Sequence, residues 1–99
     1  MKFSVSNEAA KWFVDEFNLQ PGAYIRIFTK IYGGIPTVYP KYYLGVAVEK
    51  SGIANFKVTV EDVTFYIDHN DDWILDAYDL NIELKDDDAA YIFTKATDR

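Results

Sequence analysis

The stretch Phe56-Lys57-Val58-Thr59-Val60-Glu61-Asp62-Val63-Thr64-Phe65-Tyr66-Ile67 decides the fold class. Apolar residues recur at every second position, the period of a strand with one face buried and the other wet. In the middle the phase slips. Phe56, Val58 and Val60 are even-numbered, whereas Val63, Phe65 and Ile67 are odd. A slip of one residue would turn the second set toward water, so Glu61-Asp62 must be a turn or a bulge that restores inward facing. A tight turn joining two strands is the preferred reading.

The same period extends outward. Toward the N-terminus, Leu44, Val46 and Val48 alternate up to Glu49, and Ser51-Gly52 turns the chain. From Ala23 to Tyr32 a long strand is expected, with Ile25, Ile27 and Ile31 on one face and Arg26 and Lys30 on the other. Gly33-Gly34 breaks it. The following Ile35-Pro36-Thr37-Val38-Tyr39-Pro40 holds two prolines, which discourage a central strand or a helix, and reads as a loop.

Only the beginning of the chain changes period. Phe3 and Val5 alternate within a short strand, and Ser6 stands where a helix N-cap belongs, with Glu8 in the first turn. Ala10, Phe13, Val14 and Phe17 then fall at i, i+3, i+4 and i+7, and Gln20-Pro21-Gly22 stops the pattern. Toward the C-terminus, Asp68–Asp72 is a polar break and Trp73-Ile74-Leu75 a short helical turn. Leu80, Ile82 and Leu84 form a strand ending at Asp86-Asp87-Asp88, and Ala90–Phe93 form another. Thr94–Arg99 carries no pattern and is expected to fray.

Ninety-nine residues suit one domain spanning 1–99, and 49% hydrophobic and 17% aromatic content supplies a packed core. Sixteen acidic against ten basic residues give a net charge of -6, which repels phosphate backbones and anionic lipid surfaces. Neither nucleic acid nor a membrane is an expected partner, and with no apolar leader run a cytoplasmic location follows. The chain has no cysteine and a single histidine, His69. Thiolate catalysis, cysteine-based zinc sites and cysteine-held clusters are excluded, and no cofactor is expected.

Two segments carry candidate site residues. Asp68, Asn70 and Asp72 match the first three ligand positions of a calcium loop, with Asp76 and Asp79 at the ninth and twelfth. However, Trp73 occupies the sixth position, where that loop needs glycine for its sharp turn, so a solvated turn is the competing reading. The second segment groups Tyr32, Tyr39, Tyr42 and Tyr43 around Gly33 and Gly34. Tyrosines on a loop suit a ligand or partner surface, because each joins ring area to a polar tip. His69 reads as an exposed turn residue and Asp86-Asp87-Asp88 as a solvated hairpin turn. No nucleophile, base and oxyanion donor fall at meaningful spacing, so the chain is not read as an enzyme.

The opening Phe3-Ser4-Val5-Ser6-Asn7-Glu8-Ala9-Ala10, the run from Arg26-Ile27 to Gly33-Gly34, and Val63 through Asp68 together resemble the HesB-like (IscA-like) domain. The resemblance covers almost the whole chain and implies a mostly β, α+β fold: a small, partly closed barrel of mixed strands with one N-terminal helix. Members of that family hold iron or a cluster through three cysteines. Here Ile35 or its neighbours take the first place, and Thr94–Arg99 offers no counterpart to the others, so no metal or cofactor ligand is carried over. The resemblance thus implies a cysteine-free, non-catalytic branch, acting in iron-sulfur cluster assembly through protein contacts and able to self-pair into a homodimer. The alternative is a small-molecule or cation binding module using residues 32–43 or 68–72.

Overall fold

A computed structural model describes residues 2–96. Strand β1 (Phe3–Val5) leads into helix α1 (Asn7–Phe17), followed by β2 (Tyr24–Lys30), β3 (Ile35–Pro36), β4 (Tyr43–Val48), β5 (Phe56–Val60) and β6 (Val63–Ile67). A 3₁₀ turn at Asp72–Leu75 precedes β7 (Tyr78–Lys85) and β8 (Asp88–Lys95). The mostly β class with a single N-terminal helix is the one expected. The strands lie in two sheets, ordered β1-β7-β8 and β3-β4-β2-β6-β5, which do not close into a barrel.

Helix α1 starts where Ser6 accepts a hydrogen bond from the backbone N–H of Ala9 at 3.1 Å. It ends one residue after Phe17, where Asn18 takes the left-handed conformation (φ 50°) and its N–H bonds back to Val14. Thus Asn18 terminates the helix before the Gln20-Pro21-Gly22 stop is reached. The buried positions are Ala9, Ala10 and Phe13, while Phe17, expected on the inward stripe, is 42% exposed and stacks on Phe13. The side chains of Phe13 and Phe65 meet edge-on at 5.2 Å, joining the helix to the five-stranded sheet.

The 56–67 stretch is the hairpin its alternation demands. Phe56 faces Ile67, Val58 faces Phe65 and Val60 faces Val63, all directed inward. Both turn residues have positive φ, 53° at Glu61 and 61° at Asp62, the backbone whose twist suits a two-residue hairpin. Asp86 and Asp87 (54° and 63°) make the same connection between β7 and β8. Between the sheets and α1 lies one core, in which Ile25, Ile27, Leu44, Phe65, Ile67, Leu80 and Ile82 are fully buried.

Three segments differ from expectation. Ile35 and Pro36 form a short edge strand on β4, a place proline tolerates because its missing N–H is not needed there. Ile31 lies past the end of β2 and is 59% exposed, so it has left the buried row. Thr94 and Lys95 remain paired with Asp79 and Tyr78, and Ala96 N–H bonds to Ala77, so the fraying expected from Thr94 onward does not begin there. The remainder of that expectation, at 97–99, falls outside the described residues.

Candidate functional site

Past β2 the chain must cross to the far edge of β4, and the Gly33-Gly34 pair makes the crossing possible. Both have positive φ, 65° and 135°, and a side chain at Gly34 would stand 2.7 Å from the carbonyl oxygen of Leu44. Only glycine combines that backbone with so close an approach. After β3, the Thr37 hydroxyl gathers the loop: it bonds to the carbonyls of Tyr39 and Tyr42 and accepts from the N–H of Tyr39.

The four loop tyrosines have different surroundings. Tyr39 is anchored, donating its hydroxyl proton to the Ile74 carbonyl at 2.6 Å with its ring edge-on to Trp73, Tyr78 and Phe93. Burial, then the neighbouring Tyr78 and Asp76, push its hydroxyl pKa up. Tyr42 leans on Trp73 at 5.0 Å and Tyr43 faces Lys30 across the β2–β4 ladder. Tyr32 is 87% exposed, and Ile31, Val38 and Tyr42 of the same loop are exposed as well. Trp73, on the 3₁₀ turn, was not among the sequence candidates, although it supports two of them.

Residues 68–72 form a polar turn whose side chains engage separate segments. Asp68 is buried and accepts from the N–H of Asn70, Asp71 accepts from the Thr29 hydroxyl at 2.6 Å, and Asp72 accepts from the Asn55 amide at 3.1 Å. His69 sits half-exposed with Nδ1 3.2 Å from the Ile53 carbonyl. Among the described residues, no group of three or more His, Asp or Glu side chains is placed to hold a metal ion.

The outward face of the five-stranded sheet supplies a feature that sequence reading recognised only as Arg26 and Lys30 facing away from the core. Lys57, Tyr66, Arg26 and Ala47 stand side by side across β5, β6, β2 and β4. Residues 49–54 fold back over this row: Tyr66 donates to the Glu49 carbonyl at 2.9 Å and accepts from the Ser51 N–H at 3.0 Å. A groove of about 220 Å³ remains, lined by Tyr24, Lys50, Ser51, Gly52, Ala54, Lys57 and Tyr66. The Lys50 ammonium lies 4.9 Å over the Tyr24 ring, and the Arg26 guanidinium 5.0 Å over Phe28. Gly45 gives Phe28 its space, since a side chain there would stand 2.5 Å from the ring. Alternation in β2 and β5 marks Arg26 and Lys57 as outward-facing, but no local signal brings Lys50 back beside them.

No helix of the described residues is long and apolar enough to cross a membrane. No family model matches the chain. It is 30% identical over 87 residues to the pyruvate dehydrogenase inhibitor of Bacillus subtilis (strain 168), an alignment covering 88% of this chain and 90% of that protein. This kinship overturns the HesB-like assignment, and with it the iron-sulfur assembly role and partners. The residues that carried the resemblance are a helix cap, alternating strand positions and a glycine break, which report local backbone structure and no chemistry. Nor does an inhibitor's kinship support the alternative of a small-molecule or cation module. The chain belongs to the family of the Bacillus subtilis pyruvate dehydrogenase inhibitor.

Proposed function

We propose that this chain is a non-catalytic protein that inhibits a pyruvate dehydrogenase by binding to it. The observation that carries this reading is the length of the kinship. It runs over 88% of this chain and 90% of a protein named for that inhibition, so it is not a shared fragment.

The loop at 31–43 supports the reading as the contact surface. It exposes Ile31, Tyr32, Val38 and Tyr42, while Tyr39 is tied to the 3₁₀ turn. Exposed aromatic and aliphatic side chains on an anchored base suit a protein interface, because apolar area is removed from water at small ordering cost.

The test is a titration of the purified chain into a pyruvate dehydrogenase assay at fixed substrate, with complex formation followed by light scattering. Activity should fall to a plateau at stoichiometric addition. Unchanged activity at a hundredfold molar excess over the enzyme would refute the proposal.

A further inference from the structure

We infer that β8 pairs antiparallel with β8 of a second copy of this chain, with Tyr91 on the two-fold axis, an inference independent of the function proposed above. The open edge is the first ground. In the β1-β7-β8 sheet, β7 lies in the middle and β1 rests against β5 of the other sheet, whereas β8 is paired on one side only. The Leu80 N–H bonds to Lys2 and the Ile82 carbonyl accepts from Ser6, so even-numbered residues of β7 point toward β1 and odd-numbered ones toward β8. The bond from Ala96 N–H to Ala77 agrees. Across that register, Ala89, Tyr91, Phe93 and Lys95 turn their backbone N–H and C=O groups to the open edge. Of these groups, only the Ala89 N–H has a partner among the described residues, the carboxylate of its neighbour Asp88 at 2.8 Å. Strand β8 follows β7 for eight residues without a bulge, contains no proline and carries its charges at its two ends. It thus lacks the devices that keep exposed edges from pairing. Between its first half and β3–β4 lies an apolar groove of about 290 Å³, whose lining includes Trp12, Phe17, Ile35, Val46, Ala89 and Tyr91, so the other sheet does not cover this edge.

Complementarity selects a second copy as the occupant. Directly opposed residues of an antiparallel pair share a face of the sheet, so a two-fold axis through two copies of one strand must fall on a residue. With Tyr91 on the axis, Ala89 of one copy faces Phe93 of the other and Ala90 faces Ile92, small beside large on both faces of the sheet. At each end Lys95 meets the acidic turn at Asp87 and Asp88. Moving the axis to Ile92 sets Ala89 against Lys95 and Ala90 against Thr94, which gives up both matches. The contact uses the same surface on each copy and therefore closes on itself. Since β1 is already occupied by β5 at the far edges, the assembly stops at a dimer with the continuous strand order β1-β7-β8-β8-β7-β1.

The test joins sedimentation equilibrium to crosslinking, after thermal melts confirm that each variant folds. Wild type should reach the mass of two chains with rising concentration. Lys95→Glu, which sets like charges together at both ends of the contact, should raise the dimer dissociation constant about tenfold, whereas Lys57→Glu, the same charge change on β5, should leave it within about twofold. The chain has no cysteine, so introduced ones report the register. Residues 90 and 92 of opposite copies form a non-hydrogen-bonded pair, about 4.5 Å between Cα atoms and within disulfide reach. Oxidising a mixture of Ala90→Cys and Ile92→Cys chains should therefore give the mixed dimer, and far less of either variant linked to itself. A wild type that keeps the mass of one chain at every concentration overturns the inference, as does a dimer unaffected by Lys95→Glu. Preferential linking of Ile92→Cys to itself would put the axis at Ile92 and overturn the register. If the chain stays monomeric and Lys95→Glu instead abolishes inhibition of pyruvate dehydrogenase, the edge belongs to the enzyme and the inference is wrong while the proposed function survives.

Discussion

The hydroxyl of Tyr39 donates to the backbone carbonyl of Ile74 at 2.6 Å, joining a loop after β3 to a 3₁₀ turn 35 residues later. The bond and the surrounding rings of Trp73, Tyr78 and Phe93 make Tyr39 the root of the loop. Tyr39→Phe keeps the ring and removes the donor. It should cost about 1 kcal/mol in urea-unfolding stability, the usual net worth of one hydrogen bond.

Tyr32, in the same loop, is 87% exposed and contributes little to the folded state. Tyr32→Ala should leave stability within about 0.5 kcal/mol. The same change should raise the concentration needed for half-inhibition of pyruvate dehydrogenase by roughly tenfold or more, the scale of an aromatic interface anchor. Parallel melts and inhibition titrations would separate these two effects, and equal inhibition by the variant would remove Tyr32 from the interface.

Gly45 lets the Phe28 ring lie flat across β4, carrying the Arg26 guanidinium above it. Gly45→Ala drives a methyl group to within 2.5 Å of that ring. The expected loss is about 1–3 kcal/mol, the ordinary cost of overpacking. Adding Phe28→Leu to Gly45→Ala should restore part of it, a coupling that a double-mutant cycle in urea would measure.

Burial, with Asp88 nearby, pushes the Tyr91 hydroxyl pKa well above its usual 10.0, and Tyr39 moves the same way. In the unfolded chain these groups lose their protons near pH 10, while in the folded chain they retain them. Above pH 10 the unfolded state therefore binds fewer protons, and stability falls as pH rises. Urea midpoints should be flat from pH 8 to 9 and decline from 10 to 11. Tyr91→Phe should make that decline shallower.

The β7–β8 turn places Asp86 and Asp87 at φ 54° and 63°. Asparagine and glycine occupy such positions with less strain, so Asp86→Asn/Asp87→Gly should raise stability by about 0.5–1 kcal/mol. A melting temperature below that of wild type would show that the two carboxylates have a favourable role at this turn.

The elements legible in the chain are those with a local cause. Ser6 caps because its side chain reaches an N–H three residues on, and Glu61-Asp62 turns because the apolar phase requires it. What escaped depends on distant neighbours. Pro36 enters a strand because β4 offers it an edge, and Thr94 and Lys95 stay ordered because β7 faces them. The tyrosine loop was visible as a composition, but only packing separates anchored Tyr39 from exposed Tyr32. Outward alternation exposes Lys57, yet the return of residues 49–54 over Tyr66, which brings Lys50 beside it, is written in no periodicity.

The pairing of β1 with β7 has a consequence for biosynthesis. Ser4 bonds to Asn81, 77 residues away, and Lys2 accepts from the N–H of Leu80. The opening segment must wait for β7 to be made before it meets its neighbour, and contacts of such separation slow folding. A chain cut before Tyr78 would then lack the strand that pairs with Phe3–Val5, leaving that segment exposed to proteolysis.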